Sequence, residues 1–131
     1  MRLLLDTHIW VWSLLEPERL GTEVTGALAD SANELWLSPI SVWELVMLIE
    51  RGRMQVDLPA VNWVREAVGR IPLREASLTH AVALRSRTLA LDHADPADRF
   101  IAATASVYEL TLVTADRRLS DSGDYDVLRN S

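Results

Sequence analysis

Apolar and polar positions fall in blocks along the chain, and the blocks predict strands that alternate with helices. Short unbroken apolar runs are typical of strands buried on both faces of a parallel sheet, and they occur at 2–5, 35–37 and 111–114. Apolar residues at helical spacing predict helices over 7–15, 22–32, 41–51, 59–68 and 77–89, with one more that begins at Pro96. This order predicts one α/β domain over 1–131, a central, mostly parallel sheet flanked by helices in an α/β/α sandwich.

The predicted helix over 41–51 carries the clearest local signals. Ser41 and Glu44 have the spacing of a capping box, and Gly52 supplies a stop. Apolar residues cover nearly the whole circumference of this helix, which is typical of a helix that is buried or shared with a partner. Two further strands are predicted, an edge strand at 54–58 and a last strand at 125–128.

Carboxylates follow the ends of the predicted strands. Asp6 and Asp116 come directly after the first and third apolar runs, and Glu44 lies a few residues after the second. Asp98 falls in the first turn of a helix for which Asp95 is the expected N-cap. In parallel sheets the ligand crevice lies outside the carboxyl ends of the strands, so the sequence predicts that Asp6, Glu44, Asp98 and Asp116 converge at one edge.

Each acid also has an ordinary structural explanation. Asp98 could serve only to complement the helix dipole, and Glu44 could be only the reciprocal member of its capping box. Glu44 stands among apolar residues, however, where an unpaired charge is costly to desolvate. Asp6 and Asp116 repeat the same position after a buried strand, which favours a shared function. Hard oxygen ligands of this kind select Mg²⁺ or Mn²⁺.

Composition restricts the classes of protein that this chain can represent. With 131 residues, 49% of them hydrophobic, the chain can bury an ordinary core without disulfides. The absence of cysteine excludes thiolate metal sites and cysteine nucleophiles, and it fits a reducing compartment. No apolar run approaches the roughly twenty residues of a membrane span, and a carboxylate comes too early for a signal peptide, so we expect a cytoplasmic protein without a membrane anchor.

The formal charge of −6 is unusual for a protein that handles nucleic acid. All thirteen cationic side chains are arginine, which can bind phosphate or carboxylate with a planar fork. Genomic base composition explains this bias equally well. A bound divalent cation would reverse the sign of a carboxylate cluster locally, so the net charge does not exclude a nucleic-acid substrate.

Four segments of the chain, in order, resemble the motifs of the PIN-domain nucleases, and in particular of the toxins of type II VapBC toxin–antitoxin systems. They are 3–8 with Asp6, 41–45 with Glu44, 95–105 with Asp98, and 112–116 with Asp116. The resemblance runs nearly end to end, and it implies a metal-dependent endoribonuclease with a four-carboxylate site. Asp98 aligns with the family's third acid because it directly precedes the apolar helix, and Asp95 remains the alternative.

The resemblance implies roles for these residues. Asp6, Asp98 and Asp116 would bind Mg²⁺, or Mn²⁺, directly or through water, and Glu44 would bind the ion or orient water. A second ion could join only when RNA is present. The hydroxyl of Thr114 would support the site, and Thr7 is a second candidate, although both could simply hydrogen-bond to backbone. Asp95 would be a cap or outer residue of the site. Arg99 could neutralise phosphate or organise the acids, and a structural salt bridge explains it equally well.

Partners also follow from the resemblance. An RNA substrate is expected, with a VapB-like antitoxin whose tail packs beside the active site and a second copy of the chain in a homodimer. The apolar faces of the helices over 7–15 and 41–51 are the candidates for the antitoxin contact. His8 and His93 lie near the acids in sequence and are candidate general bases or RNA contacts. Arg117 and Arg118 are candidate RNA contacts. The five tryptophans could stack on nucleobases, although such residues more often belong to a core or an interface.

Two other functions compete with this interpretation. An aspartyl-phosphate phosphatase also places an aspartate after its first strand, but it normally needs an acid two residues later, where this chain has His8, and a lysine, which the chain lacks. A catalytically silent binding module with the same fold is the other alternative. A pure binding role gives no reason to bring mutually repelling carboxylates together, so the nuclease is favoured.

Overall fold

The computed structural model describes residues 1–92 and 95–131 and shows a five-stranded sheet in the order β3-β2-β1-β4-β5. Every pair of neighbouring strands is parallel. The strands are β1 (Arg2–Leu5), β2 (Glu34–Leu37), β3 (Arg74–Glu75), β4 (Thr111–Thr114) and β5 (Val127–Arg129). The central position of β1 matches its sequence, because a strand with neighbours on both sides and layers on both faces needs an unbroken apolar run.

Helices cover both faces of the sheet. They are α1 (Thr7–Leu15), α2 (Thr22–Ala29), α3 (Pro39–Glu50), α4 (Ala60–Val68), α5 (His80–Ser86), α6 (Pro96–Tyr108) and α7 (Arg117–Ser120), with a 3-10 turn at Pro17–Arg19. Within the described ranges, no helix has the length and apolar character needed to cross a membrane.

Alternate residues of β1 face two separate hydrophobic cores. Leu3 and Leu5 pack in the core that contains residues of α1, α3 and α4, whereas Leu4 packs in the core formed with α5, α6 and α7. All three leucines are fully buried. The two-residue period of a strand therefore places one helical layer on each side of the sheet, as predicted for an α/β/α sandwich.

The structure confirms the main strands and helices and corrects several local predictions. No strand forms at 54–58, and the helices predicted over 22–32 and 77–89 are shorter, ending at Ala29 and spanning His80–Ser86. The last strand is Val127–Arg129 rather than 125–128. Strand β3 and helix α7 were not predicted, because β3 consists of two charged residues and α7 of one turn.

The capping box predicted from Ser41 and Glu44 is wrong. Helix α3 begins two residues earlier, at Pro39, and Ser38 is its N-cap, with Ser38 Oγ accepting from the backbone N–H of Ile40 at 3.0 Å. Proline suits the first helical position because its missing N–H has no helical partner there. Ser41 and Glu44 consequently lie inside the helix, one turn apart on the same face.

Candidate active site

The carboxyl ends of β1 and β4 open into a cleft of about 410 Å³, called the acid cleft below. Helices α1, α3, α6 and α7 contribute to its walls. All four predicted site acids, together with Asp95, are among its lining residues, which are Asp6, Thr7, His8, Trp12, Glu44, Asp95, Asp98, Ala115, Asp116 and Arg118. Residues from four distant parts of the sequence thus meet at the edge of the sheet where the strands end.

Asp6 ends β1 and is the N-cap of α1, which fixes its carboxylate at the base of the acid cleft. Its Oδ1 accepts from the backbone N–H of Thr7 at 2.9 Å, and its Oδ2 accepts from Thr114 Oγ1 at 2.7 Å. The residue is only 7% exposed. This burial raises the pKa of Asp6, the hydrogen bond from Thr114 opposes the rise, and the negative charge of Asp98 adds to it.

Glu44 points from α3 toward the start of α1 and is held there by two hydroxyl groups. Thr7 Oγ1 donates to Glu44 Oε1 at 2.5 Å and lies 2.8 Å from Ser41 Oγ. Because the Thr7 hydroxyl has a single proton, Ser41 donates to Thr7. Burial raises the pKa of Glu44, the hydrogen bond from Thr7 opposes this rise, and the charges of Asp98, Asp6 and Asp95 add to it.

Asp95 and Asp98 occupy different positions at the start of α6. Asp95 is exposed and is the N-cap, since its Oδ1 accepts from the backbone N–H groups of Ala97 at 2.9 Å and Asp98 at 3.4 Å. Asp98 lies in the first turn and is partly buried. The charge of Asp98 is a cause of the raised pKa of both Asp6 and Glu44, whereas that of Asp95 is among the causes for Glu44 but not among those for Asp6.

Asp116 follows β4 and caps the short helix α7. Its Oδ1 accepts from the backbone N–H of Arg118 at 2.9 Å and from Arg118 Nε at 3.2 Å, and its Oδ2 accepts from Arg118 Nη2 at 2.9 Å. The guanidinium therefore donates to both carboxylate oxygens, from Nε and Nη2, in a bidentate ion pair. The hydrogen bond to Asp116 is the largest cause of a raised pKa for Arg118.

Thr114 joins two of the acids through a single hydroxyl. Thr114 Oγ1 donates to Asp6 Oδ2 at 2.7 Å and accepts from the backbone N–H of Asp116 at 3.0 Å. The side chain is fully buried. Its hydroxyl therefore links the end of β1 to the turn that follows β4.

Arg99 is not among the described residues that line the acid cleft. Its Nε donates to the carbonyl oxygen of Ser86 at 2.8 Å and its Nη1 to that of Leu91 at 2.6 Å. These hydrogen bonds connect the start of α6 to the last residue of α5 and to the segment that follows it. The structure thus gives Arg99 a role in holding the backbone that leads to Asp95 and Asp98.

Several other candidates differ in their relation to the acid cleft. His8 and Trp12 line it, with their ring centroids 6.0 Å apart, and the guanidinium of Arg19 lies 4.4 Å from the Trp12 ring centroid. Arg117 is exposed beside Arg118. His93 lies outside the described residues.

The sequence analysis assigned Ser41 to a helix cap and missed its contact with Thr7. The three-residue spacing of Ser41 and Glu44 could have indicated this contact, because it places both side chains on one face of α3.

The donor set of the acid cleft fits a hard divalent cation. Five carboxylates line one cleft, and burial, with a further contribution from the charges of neighbouring acids, raises the pKa of both Asp6 and Glu44. A cation would replace this repulsion with attraction. As the side chains stand in residues 1–92 and 95–131, no three acidic or histidine groups form a ligand set. An ion shared by these acids would be reached by side-chain rotation or through the waters that it keeps.

Asp6→Asn is expected to stabilise the metal-free protein at neutral pH. A pKa that is raised in the folded state means that the ionised carboxylate destabilises the fold, so the stability present below the unfolded pKa of about 3.9 is lost as pH rises through the folded pKa. Asparagine does not ionise and avoids that loss. In EDTA, the melting temperature of Asp6→Asn relative to wild type should rise as pH increases from 4 to 7.

The exposed residue Asp57 provides the matched control for this measurement. Asp57→Asn makes the same chemical change at a surface site, and its melting temperature should follow that of wild type throughout the same pH series. A difference between Asp6→Asn and wild type that stayed constant with pH would contradict the electrostatic origin of the effect.

The sequence of this chain is similar to a known protein family and to a known protein. The PIN domain family matches residues 3–124. Ribonuclease VapC22 of Mycobacterium tuberculosis (strain ATCC 25618 / H37Rv) is 38% identical over 117 residues, which are 88% of this chain and 88% of that protein.

Two solved structures with the same fold illustrate the similarity. One is VapBC2 from Rickettsia felis bound to a DNA fragment from its promoter, with a TM-score of 0.72, 16% identity and full coverage of both chains. The other is FitAcB from Neisseria gonorrhoeae, with a TM-score of 0.62 and 26% identity over 97% of this chain and 96% of that one.

Proposed function

Because this chain belongs to the PIN-domain family, we propose that it is a metal-dependent endoribonuclease that acts as the toxin of a type II toxin–antitoxin system. One observation carries the proposal: four carboxylates from separate elements line a single cleft at the carboxyl ends of the strands. Support comes from the relative named as a ribonuclease VapC, which matches this chain over most of its length. The reaction is hydrolysis of an RNA phosphodiester bond.

Asp6, Asp98 and Asp116 are proposed to hold the cation, and Glu44 to hold it or to orient the attacking water. Mg²⁺ is the expected ion and Mn²⁺ the alternative, because both prefer oxygen ligands. A bound cation would activate water and neutralise charge on the scissile phosphate. The preference for Asp98 over Asp95 rests on its partial burial and on its effect on two acids rather than one.

Hydroxyl groups of this chain would keep the carboxylates in position during the reaction. Thr114 holds Asp6, and Thr7, supported by Ser41, holds Glu44. Each hydroxyl donates to an oxygen of a partly or fully buried acid, which favours the ionised form that a cation needs. Thr7 and Thr114 are therefore proposed as positioning residues.

The experiment that tests the metal dependence uses the purified chain without any antitoxin. Divalent cations are removed with EDTA, and RNA cleavage is measured before and after Mg²⁺ or Mn²⁺ is restored. We expect cleavage to stop in EDTA and to return with either ion. Cleavage that persists at full rate in EDTA would overturn the metal-dependent reaction.

An apolar groove beside the acid cleft is the proposed binding site of the antitoxin. The groove has a volume of about 770 Å³, and it shares Glu44 and Asp95 with the acid cleft. Trp43 on α3 is 54% exposed, and Met47 and Phe100 also line the groove. A partner helix or strand that covers these side chains would reach the acids directly. Helix α1 offers less apolar surface for the antitoxin than predicted, because Ile9, Trp10 and Val11 are buried.

Trp43→Ala is expected to weaken inhibition by the antitoxin. Exposed tryptophans at an interface commonly contribute most of its binding energy, so the inhibition constant should rise roughly tenfold or more. Titration of RNA cleavage with the cognate VapB-like antitoxin measures the effect. Leu84→Ala, at a position that is 72% exposed, is the control and should leave inhibition unchanged. Equal inhibition of both variants would exclude the groove.

Three further expectations remain predictions. They are one domain over 1–131, a homodimer, and action in the cytoplasm, where a ribonuclease meets its RNA. A catalytically silent binding module is the function that replaces this proposal if the chain cleaves no RNA.

A further inference from the structure

We propose that Arg118 is a positioning residue that competes with the cation for Asp116 and turns to the phosphate when RNA is present, so that the cation and the RNA phosphate promote each other's binding. The inference rests on the proposed function and adds a form of regulation to the same site. It follows from the contacts of Arg118, from its exposure and from its location between two cavities.

The fork of Arg118 engages both oxygen atoms of the Asp116 carboxylate. Nη2 lies 2.9 Å from Oδ2, and Nε lies 3.2 Å from Oδ1. A guanidinium in this arrangement occupies an edge of the carboxylate and brings a positive charge beside it. A divalent cation approaching Asp116 therefore meets a competing cation and must displace it. The pair thus lowers the affinity of the RNA-free protein for the metal.

This ion pair can open at little cost. The side chain of Arg118 is 64% exposed, and exposed pairs of this kind are weak. The backbone N–H of Arg118 donates separately to Asp116 Oδ1 at 2.9 Å. The N-cap of α7 is therefore retained when the guanidinium rotates away, and opening the pair frees one side chain without unfolding the helix.

Arg118 lies where an incoming RNA strand would meet the acids. Besides the acid cleft, it lines a second cavity of about 720 Å³, the side groove, whose other lining residues are Leu89, Ala90, Leu91, Asp92, Asp121 and Ser122. Of the described residues that line the acid cleft, Arg118 is the only arginine. A phosphate that bridges the two cavities would take the guanidinium fork in place of Asp116.

The exchange couples the two ligands. RNA phosphate draws the guanidinium of Arg118 away from Asp116 and so removes one competitor, which raises the affinity for the cation. By thermodynamic linkage, a cation that takes Asp116 frees Arg118 and raises the affinity for RNA by the same factor. The protein without RNA therefore binds the cation more weakly than the protein with RNA.

Calorimetric titration with Mn²⁺ in the absence of RNA tests the first half of the exchange. Arg118→Lys keeps the charge but loses the fork, and it should tighten Mn²⁺ binding by about two- to fivefold, the range expected for one exposed pair. Arg118→Gln should bind at least as tightly. Arg117→Gln removes the same charge one residue away and is the matched control, expected to remain close to wild type.

A copy of a fragment that the wild type cleaves, with a phosphorothioate at the scissile bond that keeps its negative charge but slows hydrolysis by water, tests the second half. Its addition should tighten Mn²⁺ binding to wild type, with a smaller gain in both Arg118 variants. Equal Mn²⁺ affinities for Arg118→Gln and Arg117→Gln, or no gain for Arg118→Lys, would overturn the inference and leave the proposed nuclease intact. If wild type and all variants bind no Mn²⁺ with or without the oligonucleotide, the proposed metal site fails as well.

Discussion

Glu44→Gln is expected to lower the rate of RNA cleavage by roughly 10²- to 10³-fold, the range found when one precisely oriented electrostatic group is removed from an active site. Glutamine has the shape of glutamate, and its side-chain oxygen can still accept from Thr7. The substitution therefore removes the negative charge and keeps the geometry. The measurement is kcat/KM on a single labelled fragment at saturating Mg²⁺.

Glu50→Gln is the matched control because it makes the same change on the same helix at an exposed position. It should cleave at the wild-type rate. The melting temperature of Glu44→Gln at neutral pH should equal or exceed that of wild type, since burial and neighbouring acids raise the pKa of Glu44 and make its charge costly. A loss of activity shared by both variants would show that the effect does not come from the acid cleft.

Leu4→Ala is expected to destabilise the fold by about 3 kcal/mol, within the range for leucine truncations in protein cores. Leu4 is fully buried in the central strand, in register with Trp36 on β2 and Leu112 on β4. Because domains are stable by only about 5–15 kcal/mol, this one change removes a large fraction of the total. Urea unfolding followed by circular dichroism measures the difference.

The exposed residue Leu84 provides the comparison for this truncation. Leu84→Ala removes the same atoms from a surface position of α5 and should change stability by no more than about 0.5 kcal/mol. If both variants unfolded at the same urea concentration, Leu4 would not be packed between the sheet and the layer formed by α5, α6 and α7.

The positions of the acids could be predicted because their signals are local. The apolar runs before Asp6 and Asp116 define buried strands, and parallel strands bring their carboxyl ends together. Asp95 was likewise predictable as an N-cap, since it precedes a proline at the first helical position. Pattern and topology together were therefore sufficient to predict which acids share one edge of the sheet.

Contacts between distant residues could not be predicted in the same way. Thr7 and Ser41 are 34 residues apart, and only the packing of α1 against α3 brings their hydroxyls together. The capping-box spacing therefore had two explanations, and sequence reasoning chose the local one. The ion pair between Arg118 and Asp116 depends on a side-chain rotamer, which the sequence does not determine. Strand β3 could not be predicted from an apolar pattern, because its residues are Arg74 and Glu75.

The most direct test of the four-carboxylate nuclease compares wild type and Asp6→Asn on labelled total RNA, each with Mg²⁺ and with EDTA. Asp6 is the most informative position because it lies at the base of the acid cleft and contacts Thr114. We predict discrete cleavage products from wild type in Mg²⁺ and none from the other three reactions. Identical products from wild type and Asp6→Asn would contradict the carboxylate mechanism.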